Sequence, residues 1–251
     1  MIKTYEQKAK ERAEKVDFQN MLNTMTDAEL LSYCLCHNHT GKMEGMHSIS
    51  TAVTVNPLCK ARRASALKAL EEAKEKGLDP VEHICLSCFA EAQLEYQGTT
   101  DIKYRRAFEI LNYKVFALED FPVLNLLVFR IEAFGDVASV TQARNYIRLA
   151  KRNPLTICTA WTKNPGIWKE AFAIEGKPEN MIMIYSNPIV DSKIDEEAFF
   201  QALKVSFPFL DKMFSVFNEE DETTNCGGRH CLTCLNCYRK DGPVFIHEVK
   251  K

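Results

Sequence analysis

Four apolar, β-rich stretches recur at nearly equal intervals in the second half of this chain. They begin near Leu127 (LVFRIEAFG), Leu155 (LTICTAW), Met181 (MIMIYS) and Met213 (MFSVFN), in steps of 28, 26 and 32 residues. Helix-forming segments fill the gaps. Ser139 and Gln142 read as a capping box, with Val140, Ala143, Ile147 and Ala150 along one face behind them. Ile194, Ala198, Phe199, Ala202 and Val205 read as the apolar face of another helix. Strands recurring every few tens of residues with a helix between each pair require crossover connections, which join parallel strands. The continuous apolar runs predict strands covered on both faces. The fold class is therefore α/β. An open doubly wound sheet, a full barrel and a partial (β/α) barrel all satisfy the pattern, and in each of them ligands bind at the C-terminal ends of the strands.

The first half is less regular. Residues 1–38 read as helical, with a capping box from Thr26 to Glu29 ahead of the apolar stretch LLSYCLC. MHSISTAVT, residues 46–54, is β-prone and runs into the turn Asn56-Pro57. ASALKALEEAKEK, residues 64–76, is strongly helix-forming and stops at Gly77. Further helices are predicted after Cys88 and near Asp101. The resulting division is a helical extension over 1–38, a βα unit over 39–220 and a cysteine-rich segment over 221–251.

With 251 residues and a net charge of −2, the chain has no overall electrostatic footprint for nucleic acid. The short basic string Lys60, Arg62, Arg63 reads as a solvated helix start. The N-terminus MIKTYEQKAKERAEK lacks the apolar core of a secretory signal, and the longest apolar run, FPVLNLLVF, is too short to span a bilayer. A cytoplasmic, reducing location is expected, with no membrane partner. There the ten cysteines serve as thiols or metal ligands rather than as a disulfide framework.

The cysteines fall into sets. Cys226, Cys231, Cys234 and Cys237 follow a C-x4-C-x2-C-x2-C spacing in NCGGRHCLTCLNCYRKDG. Core packing gains nothing from such clustering, and soft thiolates at turn-like intervals suit zinc or an iron–sulfur cluster. Consecutive x2 spacings favour iron–sulfur; a structural zinc knuckle is the alternative. The pair Gly227-Gly228 allows tight turning, and His230 is surplus to a complete count of four thiols. Upstream, Cys59, Cys85 and Cys88 supply three thiols. If these share one cube, one iron is left open to a ligand, as the open position of a catalytic zinc is. Cys34, Cys36, His37 and His39 form a C-x-C-H-x-H string that reads as incidental, and Cys158 reads as a small buried hydrophobe.

The strings NPLC and CLSCFA, together with HNHTGKMEGMHSIS, RIEAFGDV, WTKN and CGGRHCLTCLNCY, resemble a phage family catalogued as gene product eighty-eight. They also resemble phage members of the radical S-adenosylmethionine (SAM) superfamily. The resemblance touches most of the chain beyond residue 38. It implies a partial (β/α) barrel, a SAM-binding [4Fe–4S] cluster on Cys59, Cys85 and Cys88, and an auxiliary [4Fe–4S] cluster on Cys226, Cys231, Cys234 and Cys237. Members of that superfamily typically hold the three cysteines in one C-x3-C-x2-C loop, whereas here 25 residues separate Cys59 from Cys85.

By the same resemblance, Gly135-Asp136 corresponds to the glycine and acidic residue that receive the methionine amino group of SAM, and Phe89 to an aromatic beside the adenine. The ordinary readings are helix capping for Asp136 and packing for Phe89. Thr159, Trp161, Ser186 and Asn187, with Lys163 and Asn164, lie where βα folds place ligand contacts. The implied activity is reductive cleavage of SAM to a 5′-deoxyadenosyl radical that acts on an unknown substrate, with electrons from a donor such as flavodoxin or ferredoxin. The alternatives are a non-enzymatic zinc-binding phage protein with a nucleic-acid or protein partner, and an iron–sulfur electron carrier.

Overall fold

A computed structural model describes residues 18–96, 98–226 and 228–250. Residues 1–17 of the expected N-terminal extension, and Gly227, lie outside the described residues. Seven strands form one sheet: β1 (Leu35–His37), β2 (His47–Ile49), β3 (Val128–Ile131), β4 (Ile157–Thr162), β5 (Met181–Val190), β6 (Lys212–Phe217) and β7 (Phe245–Val249). Their spatial order is their chain order. β1 is antiparallel to β2, and every later neighbour is parallel. The α/β reading with a mostly parallel sheet holds. No reversal of strand order occurs among the described strands, so the switch point of a doubly wound sheet is missing.

Nine helices are described: α1 (Phe18–Thr24), α2 (Asp27–Tyr33), α3 (Pro57–Glu75), α4 (Phe89–Tyr96), α5 (Gly98–Tyr113), α6 (Val140–Arg152), α7 (Pro165–Glu175), α8 (Glu196–Ser206) and α9 (Cys231–Cys234). The period-two alternation of the strands divides their side chains between two cores. Phe129, Ile131, Cys158, Ala160, Met181, Met183 and Met213 face α5 to α8, burying against Ile110, Tyr146, Trp168 and Phe200. Val128, Trp161, Ile182, Ile184 and Ile246 point the other way. They are covered by Met46 and the cysteine-rich segment through Tyr238, Cys226, Cys231, Leu235 and Cys237. Helices cover one face and the thiol-bearing segment the other.

Local rules account for most of the helix starts. The Thr26–Glu29 capping box is present. Ser139 Oγ accepts from Gln142 N–H at 3.1 Å, but Gln142 Oε1 accepts from Ala138 N–H instead of closing the box on Ser139. Ala143, Ile147 and Ala150 are buried as expected.

Three expectations are corrected. Residues 35–37 form β1 rather than continuing the N-terminal helix, because they complete the ladder beside β2. The buried residue of α8 is Phe200; Ile194, Phe199 and Val205 are exposed. The expected stripe misjudged the rotation of that helix, since Phe200 anchors it by an edge contact with Phe245 of β7. β7 itself was not expected. FIHEV alternates too little to announce a strand, and its pairing with β6 makes segment 221–251 part of the sheet.

Candidate metal and ligand site at the strand ends

The segment NPLC is a helix start. Asn56 caps α3, its Oδ1 accepting from Leu58 N–H at 2.9 Å and Cys59 N–H at 3.3 Å, and Pro57 occupies the first turn, where it costs no hydrogen bond. Asn56 Nδ2 donates to the Asp136 carbonyl at 2.6 Å. The cap that fixes Cys59 therefore also fixes α3 to the loop after β3. Cys85 and Cys88 belong to the turn Ile84–Ser87 and its end, capped by His83 Nδ1 accepting from Cys85 N–H at 3.2 Å. This turn lies against the C-terminal part of β5, where Val190 N–H donates to Glu82 and Ile189 bridges His83.

Cys59 and Cys88 pack on one apolar cluster with Phe134, Tyr104 and Val53. Burial pushes the Cys59 thiol well up, Asp136 and Cys88 push the same way, and the Lys163 ammonium opposes them. Cys85 is also raised by burial and eased by Lys163, with Cys88 and Arg62 as further neighbours. Cys59 and Cys88, 29 positions apart, thus come within electrostatic reach. Arg62 ties α3 to the loop after β4, donating to Lys163 O and Asn164 Oδ1 at 2.7 Å each. The cations Arg62 and Lys163 offset part of the burial that raises these thiols and favour an anionic ligand beside them. Among the described residues, no three His, Cys, Asp or Glu side chains stand grouped as ligands of one ion.

Asp136 is buried with both oxygens engaged. Oδ1 accepts from Val137 N–H at 2.8 Å and Thr162 Oγ1 at 2.9 Å; Oδ2 accepts from Lys163 N–H at 2.7 Å and Asn164 Nδ2 at 3.0 Å. Its carboxylate knots the ends of β3 and β4 together; the cap of α6 is Ser139. Gly135 is required by space. A Cβ there would stand 2.5 Å from Glu132 Oε2, 2.7 Å from Thr51 Oγ1 and 2.9 Å from the Thr51 carbonyl. Gly135→Ala is expected to cost about 1–3 kcal/mol of stability, as overpacking does, read as a lower urea midpoint. An unchanged midpoint would refute the tight fit.

Phe89 is 64 % exposed and lies near Phe134, with ring centroids 6.2 Å apart. Ser186 and Asn187 are buried on β5; Asn187 Oδ1 accepts from Ile189 N–H at 3.1 Å, while Nδ2 is buried without a hydrogen-bond partner. Thr159 and Trp161 lie elsewhere, on the face covered by the cysteine-rich segment. Thr159 Oγ1 donates to the Cys237 carbonyl at 3.3 Å, and the Trp161 ring lies 5.9 Å from that of Tyr238.

The C-terminal thiols occupy that second face. Cys226 N–H donates to His247 O at 2.9 Å, which sets Cys226 beside β7. Cys231 and Cys234 bracket α9, which ends at Leu235 in a left-handed conformation (φ 54°). Gly228 is also left-handed (φ 68°), so that turn requires its glycine. Burial raises the thiols of Cys226, Cys231 and Cys237, the last to about 12. A metal must displace those protons to bind. Four partly buried thiols on one short segment fit zinc or an iron–sulfur cluster by donor chemistry alone.

The string Cys34–His39 comes apart. Cys34 and Cys36 turn into the core, where both thiols are raised by burial, while the His37 ring meets those of His39 and His47 at 4.6 Å each. Sequence reasoning missed Glu132, Arg130 and Tyr238, and it read Arg62 as part of a solvated helix start, whereas Arg62 is held by Lys163 O and Asn164 Oδ1. A lone charge inside an apolar strand run, as in VFRIEAF, was the available signal for Arg130 and Glu132. No helix among the described residues is long and apolar enough to cross a membrane. The chain matches no protein-family model, no curated protein and no solved structure.

Proposed function

We propose that the chain is a radical SAM enzyme built on a partial (β/α) barrel. Two features support the barrel. All of α5 to α8 pack on one face of a sequentially ordered sheet. In addition, Lys42, in the loop between β1 and β2, ion-pairs with Glu248 of β7. Laid flat, strands one and seven of a sheet stand about 28 Å apart, so a lysine bridges them only if the sheet curls.

The observation that carries the functional reading is the approach of Cys59 to Cys88 beside the ends of parallel strands, flanked by Arg62 and Lys163. Cys59, Cys85 and Cys88 would hold the first centre, and Cys226, Cys231, Cys234 and Cys237 the second. Bound there, a [4Fe–4S] cluster and SAM supply one-electron cleavage to a 5′-deoxyadenosyl radical. The chain's own residues do the rest. Asn56 sets the Cys59 helix against the β3 loop, Asp136 clamps the β3 and β4 ends, and Asn187 Nδ2 offers a buried donor to a ligand oxygen. Phe89 presents an exposed ring at the same rim.

Purified without oxygen, the protein is expected to be brown and to carry about eight irons per chain. It should turn SAM into 5′-deoxyadenosine when given a reductant. A colourless protein loaded with zinc at the C-terminal set would favour the non-enzymatic reading. Iron without SAM cleavage would favour an electron carrier.

A further inference from the structure

Arg130 stands in the middle of β3, on the face that looks away from the helices. Its guanidinium carbon lies 3.8 Å from the centroid of the Trp161 ring, so the cation is held flat against an aromatic wall. Its Nε is nevertheless buried with no hydrogen-bond partner, and the hydroxyl of Tyr238, one residue after Cys237, is in the same condition. The Tyr238 oxygen stands close enough to Arg130 to take one guanidinium N–H, which still leaves the Tyr238 hydroxyl proton with no acceptor, and native proteins keep such buried donors where something outside the chain satisfies them.

The charges around these donors say what that acceptor is. Trp161 and Tyr238 pack in one cluster with Cys226, Cys231 and Cys237, so the guanidinium over the Trp161 ring stands at the wall that holds three of the four thiols. Of the other cations there, Lys42 ion-pairs with Glu248, and the buried Lys212 ammonium donates to Pro243 O at 2.8 Å. Four thiolates on a divalent ion, or on a [4Fe–4S] core of equal charge, leave two negative charges uncompensated, and a low-dielectric site must meet them with fixed cations. Sulfur ligands are good acceptors for N–H and O–H donors, and such donors tune affinity and potential from outside the coordination sphere.

We infer that Arg130 is the counter-charge of the C-terminal thiolate centre, with its Nε–H aimed at the sulfur shell and the Tyr238 hydroxyl as a second donor. The inference rests on the reading that Cys226, Cys231, Cys234 and Cys237 hold a metal. Trp161 then has a positioning role: its ring holds the guanidinium over β4, on the side of the segment.

The test is a Zn(II) titration against a competing chelator, using the full chain with Cys85→Ser and Cys88→Ser so that the upstream thiols do not compete. Arg130→Met is expected to weaken zinc binding about 10- to 100-fold, the usual effect of losing an outer-shell partner. Arg130→Lys should recover most of the loss, and Tyr238→Phe should weaken binding by a smaller factor. Because the cation favours thiolate over thiol, Arg130→Met should also move the pH at which zinc binds half-maximally upward. A merely structural arginine would not shift that pH. Equal affinity and an equal pH profile in Arg130→Met and its parent would overturn the assignment of Arg130 alone. A parent that takes up no zinc would overturn the metal reading and the assignment together. Should Arg130→Met fail to fold, Tyr238→Phe decides: affinity and profile equal to the parent's would count against the inference.

Discussion

If the chain is the radical SAM enzyme proposed above, replacing Cys88 by alanine is expected to abolish reductive SAM cleavage and to remove about half of the iron, while the C-terminal centre stays loaded. Cys59→Ala should do the same, and this second variant is the more demanding one. Cys59 lies on α3, far along the chain from Cys88, and is linked to it by folding alone. Cys59, Cys85 and Cys88 would each supply one of only three thiolates to the first centre, so either variant would be left with too few ligands to retain it. Compared with the iron-free parent, both iron-free variants should keep their thermal midpoints within a degree or two, because each thiol is only partly buried and leaves a small gap beside Phe134 and Val53. Iron content, visible absorption and 5′-deoxyadenosine yield read the result together. If Cys59→Ala keeps full iron and full cleavage while Cys88→Ala loses both, the two cysteines do not share a centre and the proposed ligand set is wrong.

The parallel βα order was legible because strand spacing and helix caps are local signals. Asn56-Pro57 and Ser139 act within four residues of themselves. The two-sided burial of the strands was legible for the same reason, since continuous apolar runs state it directly. What escaped is long-range. Nothing near Glu132 in sequence indicates that Thr51, 81 residues earlier, will donate to it twice. Nothing near Thr159 indicates that its hydroxyl will be taken by the Cys237 carbonyl rather than left at the rim. Strand parity alone puts Thr159 and Trp161 on the opposite face from Cys158 and Ala160, but which face receives the cysteine-rich segment depends on where the chain returns after β6. The rotation of α8 failed for a related reason: Phe199 and Phe200 are equally apolar, and only β7 selects between them.

The folding stability of the protein is expected to fall as pH rises from about 4.5 to about 7 and then to level off, and Glu132 is the residue responsible. It follows β3 in a left-handed conformation (φ 53°) with its carboxylate wholly inside the molecule. Burial raises its pKa from 4.5 to about 7. Donation from Tyr146 OH at 2.5 Å, Thr51 Oγ1 at 2.8 Å, Thr51 N–H at 3.1 Å and Gln142 Nε2 at 2.6 Å holds the rise there. In the window between those values the folded chain keeps a proton that the unfolded chain releases, so each step up in pH favours unfolding. The accumulated loss is about 3 kcal/mol, reached near pH 7 and constant above it. Asp136, also raised by burial, acts in the same direction. Glu132→Gln removes the titration and keeps the shape: the amide oxygen accepts from Thr51 N–H, the Thr51 and Tyr146 hydroxyls rotate to accept from the new NH2 group, and Gln142 Nε2 keeps the Tyr146 oxygen as its acceptor. Urea midpoints measured from pH 4 to pH 8 should therefore fall more steeply for the parent than for Glu132→Gln, whose remaining slope comes from Asp136, acting with Glu132, and from His47 and His83, lowered by burial and acting against it, with the variant the more stable protein at pH 7. Parallel curves would show that the buried carboxylate stays ionised throughout, its four donors outweighing the loss of water.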